Sequence, residues 1–315
     1  MVSGFLITRL IARQPEGLLK PDLRSFYSRR IGRIVPLLAL VCLIGAWLIS
    51  HAPSQTPQYE ACLKSSEAVI GPAHWLTIAT FTCNWYVTFF STRGYKGLQW
   101  DILWSLSIEE QFYFFYPFIL RLSKKLKELV GFLVFLILLG LLVRGINCSI
   151  WKAVLSYNSF QNFDAIALGC LLYLTFKFFE TGLRKNKWVC GVLCLCGLVL
   201  AGLVYIRVSP WHHFYFYWFG RFGLSLGVAF FLLGAMARDW FESRYWSWLA
   251  LPGHLSYGMY LLHPLVLYFL WNFLKGQNLW VGFFILTVVT TLVGYVSFRF
   301  FEMPVNLWIR KRLNP

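Results

Sequence analysis

Two adjacent carboxylates, Glu109 and Glu110, interrupt a stretch that is otherwise mostly aromatic and aliphatic, WSLSIEEQFYFFYP at residues 104–117. On a helix, positions four apart share a face. Asp101, Ser105, Glu109 and Tyr113 then form one polar stripe, while Glu110 points about 100° away beside Leu106 and Phe114. A carboxylate in such surroundings is a candidate general base or proton carrier, because burial disfavours its charged form. The structural alternative is a carboxylate paired with a buried arginine such as Arg221 or Arg144.

A second group is FYSRRIGRIVP, residues 26–36. Arg29, Arg30 and Arg33 share one side of a helix start, at the mouth of an apolar span beginning near Ile34. Guanidinium forks bind phosphate oxygens in pairs, so three on one side could hold a diphosphate-bearing ligand. They could equally be interfacial charges reaching to lipid headgroups. A third group is LSYGMYLLHPLV, residues 255–266, where Ser256, Tyr260 and His263 lie along one face. These residues either line a substrate passage or form a hydrogen-bond ladder between packed helices. In NFDAIALGCLLY, Asp164 reads as a helix cap at the outer interface and Gly169 as a point of close packing. His212 and His213 read as interfacial.

Eight cysteines occur. Cys190, Cys194 and Cys196 lack partner histidines, so no metal site is expected. Cys62 and Cys83 fall in one outward-facing region, where a disulfide would form in an oxidising compartment.

The elements that must position these residues are membrane helices. Of 315 residues, 58% are hydrophobic and only 13% charged, against about 25% charged in a soluble domain. Mean hydropathy is +0.60. Apolar runs of spanning length fall near 34–51, 102–120, 129–147, 161–178, 189–206, 214–236, 249–271 and 280–300. The piece 74–90 is interrupted and reads as re-entrant or interfacial. The fold class expected is all-α, a polytopic bundle with about nine membrane segments.

A net charge of +16 would suit nucleic acid, but its distribution excludes that partner. Basic residues gather in alternate loops, Arg9–Arg33, Arg121–Lys127, Lys177–Lys187, Arg238–Arg244 and Arg299–Arg312, which marks those loops and the C-terminus as cytoplasmic. The tail 301–315 reads as a basic amphipathic helix on the cytoplasmic surface. No internal repeat or appended soluble domain is visible, so residues 1–315 read as one integral-membrane domain. The opening MVSGFLITRLIA is too short for a core of about 30 Å. It reads as the inner half of a helix cut short.

In this order, the stretches resemble the membrane-bound acyltransferase family 3, whose members O-acylate carbohydrates. VSGFLIT is similar to the end of that family's second helix, FYSRRIGRIVPLL to its Arg-Arg-x-x-Arg motif, and WSLSIEEQFYFFYP to its most recognisable signature. NFDAIALGCLLY, LSYGMYLLHPLV and FRFFEMPVNLWIRK resemble its later helices and its Glu-x-Pro ending. The resemblance covers nearly the whole chain and implies a bundle of about ten helices. It implies an acyl donor, by default acetyl-coenzyme A, taken from the cytoplasmic side of what in that family is a bacterial inner membrane. The acceptor it implies is a hydroxyl of a cell-surface carbohydrate or lipid-linked saccharide. By motif, Arg29, Arg30 and Arg33 would hold the donor's phosphates and Glu109 would assist proton transfer. Ser105, Tyr113, Ser256, Tyr260 and His263 would line the cavity. Two departures stand out. The family's first helix carries an Arg…His pattern that no histidine here matches, and its arginine before Asp-Ala-Ile-Ala-Leu-Gly is Asn162. A transporter or flippase for a lipid-linked saccharide, or a non-catalytic remnant of the family, are the competing expectations.

Overall fold

The computed structural model describes residues 1–51, 72–90, 102–150, 158–208, 220–238 and 250–313. The expectations for Asp101, Cys62, His212 and His213 fall outside these residues, and with Cys62 the bridge to Cys83. All regular elements among the described residues are helices: α1 (Val2–Ala12), α2 (Leu23–His51), α3 (Pro72–Ala79), α4 (Cys83–Phe90), α5 (Leu103–Leu122), α6 (Leu126–Ile150), α7 (Phe163–Lys185), α8 (Lys187–Val208), α9 (Arg221–Ala237), α10 (Ala250–Leu274), α11 (Leu279–Ser297) and α12 (Met303–Leu313). One π turn, Phe298–Glu302, joins α11 to α12.

The fold is all-α and the protein is an integral membrane protein. Among the described residues, α2, α6, α7, α8 and the joined α11–α12 are long and apolar enough to cross a membrane, while α1 and α9 are apolar but shorter. Helix α11 leaves Trp280 77% and Phe284 68% exposed. Apolar faces of that extent need lipid or a partner rather than water.

The chain divides into two compact units. One comprises Met1–Pro21 and Ser105–Ser247, the other Asp22–Trp104 and Trp248–Pro315. In the first unit, small residues set the helix spacing. A Cβ on Gly4 would collide with the carbonyl of Ile166, and one on Gly169 with that of Met1, so α1 and α7 touch backbone to backbone. Helices α8 and α9 run antiparallel through matched contacts. A Cβ on Gly197 would lie 2.5 Å from the Gly227 carbonyl oxygen, and one on Gly234 2.5 Å from that of Cys190. Phe5, Leu172, Tyr173, Ala229 and Leu233 fill the space between α1, α7 and α9. The Cys190 thiol donates to the Leu183 carbonyl and that of Cys194 to Phe231.

Two boundaries differ from the expected ones. Helix α2 starts at Leu23 rather than near Ile34. Asp22 begins it, its Oδ1 accepting from the Ser25 N–H at 3.3 Å and its carbonyl from the Phe26 N–H at 3.0 Å. The onset of apolar residues marks membrane entry, whereas the helix begins at its cap. The arginines therefore lie inside a helix and not at its start. The interruption in 74–90 is a turn at Thr80–Thr82, where Phe81 adopts a φ of 52°, between α3 and α4.

Candidate active site

Glu109 lies on α5 and is half-buried. The Tyr113 hydroxyl, one turn on, donates to its Oε2 at 3.4 Å. Ser105 lies one turn before it on the same helix face. The start of α1 flanks this carboxylate, because the Met1 amine is within electrostatic range of Glu109, Asp164 and Cys170. Farther along α5, the buried hydroxyls of Tyr116 and Thr8 share a hydrogen bond of 2.9 Å. Thr8 Oγ1 also donates to the Gly4 carbonyl at 2.9 Å, and Cys170 Sγ to the same oxygen at 3.4 Å. Of the polar stripe expected on α5, Tyr113 is buried and Ser105 and Glu109 are half-buried.

The buried ion pair found among the described residues of this unit is not the one expected for Glu109. Arg144 does not pair with Glu109; its Nη2 donates to Asp164 Oδ2 at 2.7 Å, with both side chains only 3% exposed. The same nitrogen reaches the Gln161 carbonyl. Gly140, one turn before Arg144, admits this contact, since a Cβ there would lie 2.8 Å from that of Asp164. Asp164 is therefore not an interfacial cap. Asn162 is the N-cap of α7, and Asp164 is a buried counter-charge. The pairing joins α6 to α7, and a 48-residue separation is closed nearby by Ser159 Oγ donating to Gln111 Oε1 on α5.

The second unit holds the other candidates. Arg29 and Arg30 are half-buried and Arg33 exposed on α2. On α10, Ser256 is exposed and donates to the Gly253 carbonyl at 2.9 Å. The Tyr260 hydroxyl donates to the Ile102 carbonyl, and that of Tyr257 to the Ile34 carbonyl on α2 at 2.8 Å. His263 Nδ1 lies 2.7 Å from the Tyr260 carbonyl oxygen. Pro264 explains this contact. It has no N–H for the carbonyl four residues back, so the imidazole takes that place. A carbonyl only accepts, so in this contact Nδ1 carries a proton.

Glu302 in the π turn was missed as a functional candidate. It is buried, accepts from Ser297 Oγ at 3.0 Å and lies within electrostatic range of Arg33. A Cβ on Gly258 would be 2.6 Å from its Oε1, so the carboxylate packs directly against α10 at this glycine. The Glu-x-Pro spacing at 302–304 was the available signal. The structure thus joins Glu109 with Tyr113 in one unit and places Arg33 within electrostatic range of Glu302 in the other. Among the described residues, no cluster of His, Cys, Asp or Glu has a metal-holding arrangement.

A family model described as an acyltransferase domain matches residues 1–299. O-acetyltransferase OatA of Staphylococcus aureus strain NCTC 8325 is 25% identical over 330 aligned positions, covering 97% of this chain and 51% of the relative. OatA of strain MRSA252 gives the same figures. A strain COL protein named as a candidate O-acetyltransferase, SACOL0978, is 27% identical over 338 positions, covering 100% of this chain and 52% of its own length. The chain spans about half the length of the curated relatives it matches. No solved structure matches it.

Proposed function

The chain belongs to this acyltransferase family, and from that membership we propose that it is a membrane O-acyltransferase. It moves an acetyl group from acyl-coenzyme A to a hydroxyl of a cell-surface carbohydrate or lipid-linked saccharide. The observation that carries the reading is the family match over residues 1–299, which runs through both the arginine helix and the Glu109 helix. The relatives named as O-acetyltransferases support acetyl as the acyl group.

In the reaction the acceptor hydroxyl gives up its proton to a base. Its oxygen attacks the thioester carbonyl carbon, the C–S bond breaks, and the departing thiolate takes up a proton. Glu109 is the proton carrier this chain contributes, and Tyr113 steadies its carboxylate. Arg29, Arg30 and Arg33 hold the donor's phosphates from the cytoplasm, so much of the acceleration comes from proximity. Ser105, Ser256, Tyr260 and His263 line the path of the reactants. The alternation of basic loops supports a cytoplasmic membrane location with the C-terminus inside.

The test is transfer of label from radiolabelled acetyl-coenzyme A to a panel of saccharide acceptors by the full-length protein in lipid nanodiscs. A base-labile, saccharide-linked ester is expected. Neither transfer nor coenzyme A binding across the panel would overturn the reading.

A further inference from the structure

Helices α2 and α12 meet at a seam whose register can be read from three contacts. A Cβ on Gly32 would lie 2.8 Å from Asn306 Oδ1 and 3.4 Å from its Cα, so the helices touch there with no side chain between them. One turn before Gly32, Arg29 is within electrostatic range of Arg310. One residue after it, Arg33 is within range of Glu302. Ascending numbers on α2 meet descending numbers on α12, so the two helices run antiparallel. Arg310 lies one turn beyond Asn306 on the same face.

The two ends of this seam differ in charge. Arg33 has a carboxylate opposite it. Arg29 has a second guanidinium opposite it, and Asp22 is the weaker influence on it. Two buried polar atoms at the seam have no hydrogen-bond partner, Nε of Arg29 and Oδ1 of Asn306. The Arg29 Nε–H is a buried donor without a partner, which is costly and calls for an explanation. Opposed guanidinium groups with an unused N–H are what an anion would join.

We propose that Arg310 is part of the donor site, and that with Arg29 it clamps one phosphate group of the acyl-coenzyme A between α2 and α12. This rests on the donor reading above. It makes the C-terminal helix a wall of the donor site, with Gly32 as the residue that lets it approach. At the other end of the seam the Glu302 carboxylate lies within electrostatic range of Arg33.

The experiment is calorimetric binding of coenzyme A and of 3′-dephospho-coenzyme A to the full-length protein in nanodiscs. Arg29→Ala, Arg310→Ala, Arg310→Lys and Arg312→Ala are compared with the wild type. Arg312 is the control because its guanidinium lies over the Trp308 ring, 5.4 Å from the centroid. Arg310→Ala should weaken coenzyme A binding about tenfold, the scale of one charged hydrogen bond. Arg310→Lys should recover part of that loss, and Arg312→Ala should stay within about twofold of wild type. If the phosphate clamped is the 3′-phosphate, the Arg310→Ala penalty disappears with the dephospho form; if it persists, the diphosphate is the one held. Loss of binding in Arg29→Ala but not in Arg310→Ala would overturn this inference alone. A wild type that does not bind coenzyme A would overturn the donor reading beneath it.

Discussion

At the scale of single residues, Glu109 and Asp164 show how environment separates two acids of one unit. Asp164 has a guanidinium at 2.7 Å, whereas the hydrogen bond to Glu109 comes from a neutral phenol at 3.4 Å. Asp164 is therefore committed to an ion pair, whereas Glu109, the proton carrier of the proposed reaction, has no guanidinium bonded to it among the described residues. Glu109→Gln should lower kcat about a hundredfold or more while the donor KM changes little, read from initial rates. Equal loss from Tyr113→Phe would mean that the hydroxyl and not the carboxylate matters. Removing one partner of the Arg144–Asp164 pair should cost about 3–5 kcal/mol, because the other charge stays buried alone. Replacing both together, Arg144→Met with Asp164→Leu, should recover most of that loss in thermal unfolding of the purified protein.

At the scale of elements, prolines and glycines decide which side chains are free. His263 substitutes for the N–H that Pro264 lacks, bonding the Tyr260 carbonyl at 2.7 Å. His263→Ala alone should destabilise by about 1–2 kcal/mol, and by much less in a Pro264→Ala background where the backbone bond is restored. Equal costs in both backgrounds would show that the histidine acts elsewhere. Helix approach gives a second comparison. Gly140 lies where a Cβ would meet that of Asp164 at 2.8 Å, while a Cβ on Gly131 of the same helix meets nothing within 4 Å. Gly140→Ala should lower stability by about 1–3 kcal/mol. Gly131→Ala should be neutral or slightly stabilising.

At the scale of the whole molecule, the distribution of charge makes a topological prediction. In a background with all eight native cysteines replaced, Gln277→Cys should react with a membrane-impermeant maleimide added to intact cells. Asn186→Cys should react only after the membrane is opened. Equal labelling of the two would remove the sidedness on which a cytoplasmic donor depends. Most of the membrane helices were legible because lipid demands about 20 apolar residues wherever a helix crosses. Ends were less so: α2 extends back to Leu23 because Asp22 caps it, a local hydrogen bond that hydropathy does not register.

Residue types along the chain determined the membrane helices, the alternating basic loops, the polar face of Ser105, Glu109 and Tyr113, and the grouping of Arg29, Arg30 and Arg33. Each of these depends on one helix alone, through its period and its solvent. Tertiary structure alone decided the partners. Arg144 pairs with Asp164 because Gly140 brings α7 close enough, and Glu302, packed against Gly258, comes within electrostatic range of Arg33. Arg310 faces Arg29 because Gly32 accepts the C-terminal helix. Such pairings depend on distances between helices far apart in sequence, and those distances are set by small residues whose effect appears only when two backbones meet.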